Sequence, residues 1–139
     1  MASKHQTQTR EKTLEQVVAD VGLYPRDAYE FVQQGLGFAA HRVHGEARAE
    51  GAEHVNRHVS GQQLCEGLRE YALAQWGLLA RAVLGRWNVT STYDFGRIVF
   101  ALIDAGQLQK TEDDTLDDFK AVFDFRSGFN QGYKIVIPD

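Results

Sequence analysis

A chain of 139 residues, 43% apolar and 11% aromatic, is long enough to form one domain around its own core and is too apolar to be disordered. Its net charge of −4 is the opposite of the balance that binds nucleic acid. A single cysteine, Cys65, excludes an intrachain disulfide and fits a reducing compartment. No run approaches the ~18 apolar residues of a membrane helix, and residues 1–12 lack the apolar centre of a signal peptide. The expectation is a cytoplasmic chain with no membrane contact.

Residues 1–12 read as a disordered tail, and 13–139 as a single globular domain. Thr13 with Gln16 forms a capping box, followed by Leu14, Val17, Val18 and Val21 at helical spacing, with Gly22 as the stop. Tyr24-Pro25 forces an extended step, and Pro25 suits the first turn of a second helix. That helix carries Tyr29, Val32, Leu36, Ala39 and Val43 on one face, with Gly35 and Gly37 as places where it could break. Residues 45–57, small and charged, read as a mobile loop.

The stretch 60–77 is the best-formed element. Ser60 and Gln63 make a second capping box, Val59 can staple onto Leu64, and Gly77 stands at the C-terminus. Cys65, Leu68, Ala72 and Trp76 form its apolar face, while Leu73 on the opposite side implies enclosure by other elements. A shorter helix follows, marked by Leu78, Leu79, Ala82, Val83 and Trp87. Ser91 or Thr92 can cap a helix over 93–105 whose only polar strip is Asp94, Arg97, Ala101 and Asp104. Beyond Gly106, Phe119, Ala121, Phe123 and Phe125 alternate, as do Tyr133, Ile135 and Ile137, which predicts two short strands joined by the loop 127–132. The fold class expected is mainly α (α+β): a bundle of about five helices with a small C-terminal antiparallel β element.

Chemistry is sparse. No P-loop, HExxH, GxSxG or CxxC occurs, so no catalytic residue and no cofactor is assigned, and an enzyme is not expected. Glu66 and Glu70, with Arg69 beside them, read as a partly neutralised solvated face. His41/His44 and His54/His58 have spacings that would let a helix face hold zinc. They are the metal-binding alternative, weakened because the loop separates the pairs. Residues 110–118 carry five carboxylates against one lysine. Asp113, Thr115, Asp117 and Asp124 would fall at positions 1, 3, 5 and 12 of a calcium loop, but Asp118 stands where that loop needs glycine. A capping turn or solvated surface is the simpler reading, and no metal ligand is assigned.

The order of elements over 60–137 resembles a winged helix-turn-helix domain. That resemblance implies DNA contact by the 93–105 helix, which Asp94, Asp104 and the acidic 110–118 stretch oppose. Several stretches are similar to a small family of functionally uncharacterised bacterial proteins: Tyr24-Pro-Arg-Asp-Ala-Tyr29, His58-Val-Ser-Gly61, Leu68-Arg-Glu-Tyr-Ala72, Tyr93-Asp-Phe95, Ile98-Val-Phe100, Lys110-Thr-Glu-Asp-Asp114 and Asp118-Phe119. The resemblance implies a compact domain of about this length, no activity to carry over, and an insertion at 46–56 that counts against His54 as a ligand. The function expected is a non-enzymatic interaction module. Its contact comprises Glu112, Asp113, Asp114, Asp117, Asp118 and Phe119, with Arg126 nearby, and binds a basic protein partner or a second copy. A nucleic-acid-associated protein is the remaining alternative, with neither nucleic acid nor a small-molecule substrate expected on the main reading.

Overall fold

Two reciprocal capping boxes fix where the first and central helices begin. Gln16 N donates to Thr13 Oγ1 at 3.2 Å while Thr13 N donates to Gln16 Oε1 at 2.8 Å. Gln63 N and Ser60 Oγ pair in the same way at 3.0 Å, and Ser60 N donates to Gln63 Oε1 at 2.9 Å. Each box satisfies N–H groups that a helix start otherwise leaves without acceptors. The computed structural model describes residues 1–3, 12–45 and 58–131. The chain is a mainly helical bundle. In order come β1 (Ala2–Ser3), α1 (Leu14–Val21), α2 (Arg26–His44), α3 (Gly61–Trp76), a 3-10 turn (Gly77–Leu79), α4 (Ala80–Arg86) and α5 (Thr92–Asp104). Then follow β2 (Leu108–Gln109), a second 3-10 turn (Leu116–Phe119) and α6 (Phe125–Gln131).

Among the described elements, α2 and α3 contact each other most extensively. α2 runs unbroken through Gly35 and Gly37, because the neighbouring helix leaves no room for anything larger at the first of them. A Cβ on Gly35 would overlap Leu68, and one on Gly67 would lie 2.5 Å from Ala39 Cβ and 3.0 Å from Ala39 Cα. Close approach of the two backbones offsets the helix cost of these glycines, about 1 kcal/mol each. On α3, Leu64, Cys65, Leu68, Ala72 and Leu73 are all buried. α2 covers one side of it, and α4, α5, α6 and both 3-10 turns close the others. The enclosure expected from Leu73 is therefore present.

Several local expectations are corrected. Leu78 and Leu79, expected to belong to the fourth helix, lie in the 3-10 turn and are 47% and 68% exposed; Ala80 and Leu84 are the buried residues of the helix that follows. Gly77, at φ 56°, ends α3 and rotates the following turn, so the apolar phase does not carry across it. The alternation 119–125 does not make a strand. Phe119 closes a 3-10 turn, Ala121 takes a left-handed φ of 49°, and α6 starts at Phe125, so residues 127–131 lie in a helix and not in a loop. The second expected strand, 133–137, lies outside the described residues. The antiparallel pair among the described residues joins β1 to β2, with Ala2 opposite Gln109 and Ser3 opposite Leu108. The start of the expected tail is thus folded, with Met1 fully buried. The loop expected at 45–57 lies outside the described residues except for Gly45, which caps α2.

Candidate functional site

The acidic stretch divides by role. Asp114 turns inward and is buried. Its Oδ2 accepts from the Met1 amine at 3.0 Å and from Thr111 N at 2.9 Å. Burial alone would raise its pKa, but the Thr111 N–H and the Met1 charge outweigh it and hold the carboxyl below the ordinary aspartate value. Asp118 caps the 3-10 turn, its Oδ2 accepting from Thr115 N at 3.0 Å. Asp124 caps α6, accepting from Ser127 N at 3.0 Å. These carboxylates serve the backbone, as a capping turn requires.

Phe119, expected as an exposed contact, is fully buried. Its ring stands edge-on to Phe100 at 6.3 Å and fills the space over Gly96, where a Cβ would lie 2.7 Å from the ring. Thr92 Oγ1 donates to the Phe119 carbonyl at 2.6 Å and accepts from Val122 N at 3.2 Å. One hydroxyl on α5 thus anchors both sides of the turn. What faces outward is Glu112, Asp113 and Asp117, with Lys110 and Lys120 beside them; Lys120 Nζ lies 3.5 Å from Asp117 Oδ1. The expected contact is therefore smaller: three exposed carboxylates on a turn held from below by Asp114, Asp118 and Phe119.

Asp94 also lies elsewhere than expected. Expected on an exposed strip, it is buried. It accepts from the Tyr24 hydroxyl at 2.5 Å, Thr90 N at 2.9 Å, Thr90 Oγ1 at 3.3 Å and Ser91 Oγ at 3.4 Å. Burial first, and then the Asp94 charge, push the Tyr24 phenol well above its ordinary pKa. The signal was present in the spacing, since Asp94 is the third residue after Ser91 and an acid there reaches back over a helix start. It works in place of the serine side chain expected to cap. Arg97 stays outside, its guanidinium 5.2 Å from the Tyr93 ring centre. As a DNA-reading face, α5 offers little positive charge.

Of the remaining candidates, the described residues bring no metal-binding or nucleophilic group together. His44 Nε2 lies 2.8 Å from the His58 carbonyl oxygen, His41 is exposed, and His54 lies outside the described residues. Among the described residues, no three metal-ligating side chains gather. Glu66 pairs with Arg69 at 3.0 Å, and Glu70 pairs with Arg42 of α2, so the two carboxylates are neutralised separately. Cys65 is fully buried, and burial, aided by Glu66, pushes its thiol far above the reactive range. Among the described residues, no helix is long and apolar enough to cross a membrane.

The class so defined is a helical bundle that presents a buttressed acidic turn. Set against known protein families, curated proteins and solved structures, the chain matches none.

Proposed function

We propose that the chain is a non-enzymatic interaction module whose contact is the acidic turn and whose partner is a basic protein surface. The observation that carries this reading is the division of labour among the carboxylates. Asp114 and Asp118 are spent on rigidity, which leaves Glu112, Asp113 and Asp117 exposed on a turn that does not need to be ordered on binding. Preorganised charge costs less to bind than charge on a loose segment. It steers an oppositely charged partner with a strength that salt screens.

The test is capture of partners by wild type and by a Glu112→Gln, Asp113→Asn, Asp117→Asn variant across a salt series. None of the three side chains is buried, so the variant keeps the fold. Partners captured by wild type should be lost both in the variant and at high salt. Equal recovery by both proteins at every salt concentration refutes the reading.

A further inference from the structure

The other end of α3 carries a different chemistry. Phe31 of α2 sits at the centre of four aromatic neighbours. Its ring centre lies 5.5 Å from Tyr71, 5.4 Å from Trp76, 6.0 Å from Trp87 and 6.3 Å from Phe95, and Trp76 meets Trp87 edge-on at 5.6 Å. Phe31 and Phe95 are buried, whereas Tyr71, Trp76 and Trp87 are half-buried. Phe31 and those three half-buried rings line a surface recess of about 280 Å³ together with Asp27 and Glu30 from the first turns of α2. One water needs only ~10–15 Å³ of such space, so a headgroup with part of its stem fits.

The charge of this recess has one sign. No lysine, arginine or histidine lines it. Asp27 is exposed and makes no ion pair among the described residues. Glu30 gives one oxygen to Arg26 Nε at 2.9 Å, and that same Arg26 is shared with Glu15. Of the two carboxylates that line the recess, Glu30 thus has only a shared cation and Asp27 has none among the described residues, and the excess is negative. Aromatic rings beside Asp27, a carboxylate with no paired cation among the described residues, favour a cation and disfavour an anion.

The lining also discriminates among cations. A divalent metal would need more oxygen ligands than two carboxylates supply, and it holds its water too tightly to gain from the rings. A quaternary ammonium suits rings but donates no hydrogen bond. Most of this surface is polar, with the Gln75 amide and both carboxylates able to accept, while Gln34 Oε1 already accepts from the Tyr71 hydroxyl at 3.0 Å. A guanidinium meets both demands, because it is planar, weakly hydrated, stacks on indole and donates in a fork to carboxylate.

We infer that this recess is a binding site for an alkylguanidinium, presented by a free small molecule or by an arginine side chain. It lies toward the opposite end of α3 from the acidic turn, which packs near Gly61, and 16 residues of helix span about 24 Å. The two sites can therefore fail separately. Both tryptophans of the chain, Trp76 and Trp87, line the recess, so intrinsic emission reports on it directly.

The full chain is titrated with methylguanidinium, agmatine and a doubly blocked arginine up to about 50 mM, far below the molar range in which guanidinium unfolds proteins. Sodium chloride serves as the ionic-strength control and tetramethylammonium as the shape control, with circular dichroism following the fold. Saturable changes in emission are expected for the guanidinium ligands. Asp27→Asn should weaken binding about tenfold, the worth of one charge-assisted fork, and Glu30→Gln by less. Tighter binding of methylguanidinium than of blocked arginine, both single cations, assigns the site to a free ligand, and the reverse order assigns it to a protein side chain. A response that does not saturate, that sodium chloride reproduces, or that Asp27→Asn leaves unchanged overturns the inference. Equal binding of tetramethylammonium overturns the guanidinium assignment.

Discussion

The α2–α3 pair and the segment 110–131 are held by different means. In the pair, two long helices interlock along their length, and single missing side chains at Gly35 and Gly67 set how closely they approach. In the segment, short turns are pinned at points: Asp114 by the Met1 amine, Phe119 and Val122 by Thr92 Oγ1, and α6 by its Asp124 cap. Between those pins, an aromatic group supplies the bulk. Phe123, Phe125 and Phe129 lie 4.9 to 5.7 Å apart by ring centre, and Phe125 reaches Phe95 of α5 at 5.5 Å. A periodic surface spreads its stability over many residues. A pinned segment concentrates it in a few, and that arrangement leaves the charged residues between the pins free to face outward.

The largest test of this comparison sets one buried side chain in each region against the other. Leu68→Ala and Phe119→Ala should cost about 2–5 and 3–5 kcal/mol in urea unfolding, each with a single transition. A cost below about 1 kcal/mol for Phe119→Ala would mean that the segment merely drapes over the bundle. A smaller effect separates two glycines in the pair. Gly67→Ala brings its methyl against the Ala39 backbone and should destabilise by about 1–3 kcal/mol. Gly37→Ala meets nothing within 4 Å and should stabilise by up to about 1 kcal/mol. Equal effects from the two would deny the close approach.

The smallest expected effect concerns pH and the N-terminal pin. Asp114 has a lowered pKa when folded, so its contribution is present above the ordinary carboxylate range near pH 4 and is lost as pH falls through the lowered value. The stability difference between wild type and Asp114→Asn should therefore close as pH drops below about 4. A difference that stays constant across that range would show that the Met1–Asp114 pair is not electrostatically coupled to folding.

How much was legible follows the same division. Thr13, Ser60 and Gln63, the face Cys65–Leu68–Ala72, and the boundaries of α1, α3 and α5 could be read because capping and 3.6-residue periodicity are local properties. Phe119 and Phe125 could not. Alternation over so few residues describes a strand and a turn–helix junction equally well, and the choice rests on Thr92, which lies 27 residues from Phe119. Of the expected contact, Glu112, Asp113 and Asp117 stayed at the surface, while Asp114 and Phe119 were claimed by distant partners.

By itself, then, the sequence determined a mainly helical bundle, its central capped helix and an acidic stretch following the 93–105 helix. Those features depend on residues a few positions apart, whose geometry the backbone dictates. The tertiary structure alone decided which carboxylates face solvent, that Asp94 closes over Tyr24, and that Phe31, Tyr71, Trp76 and Trp87 meet beside Asp27. Each of those outcomes depends on where two separate helices lie against one another. That packing follows from shape and buried area summed over the whole core, which no local pattern carries.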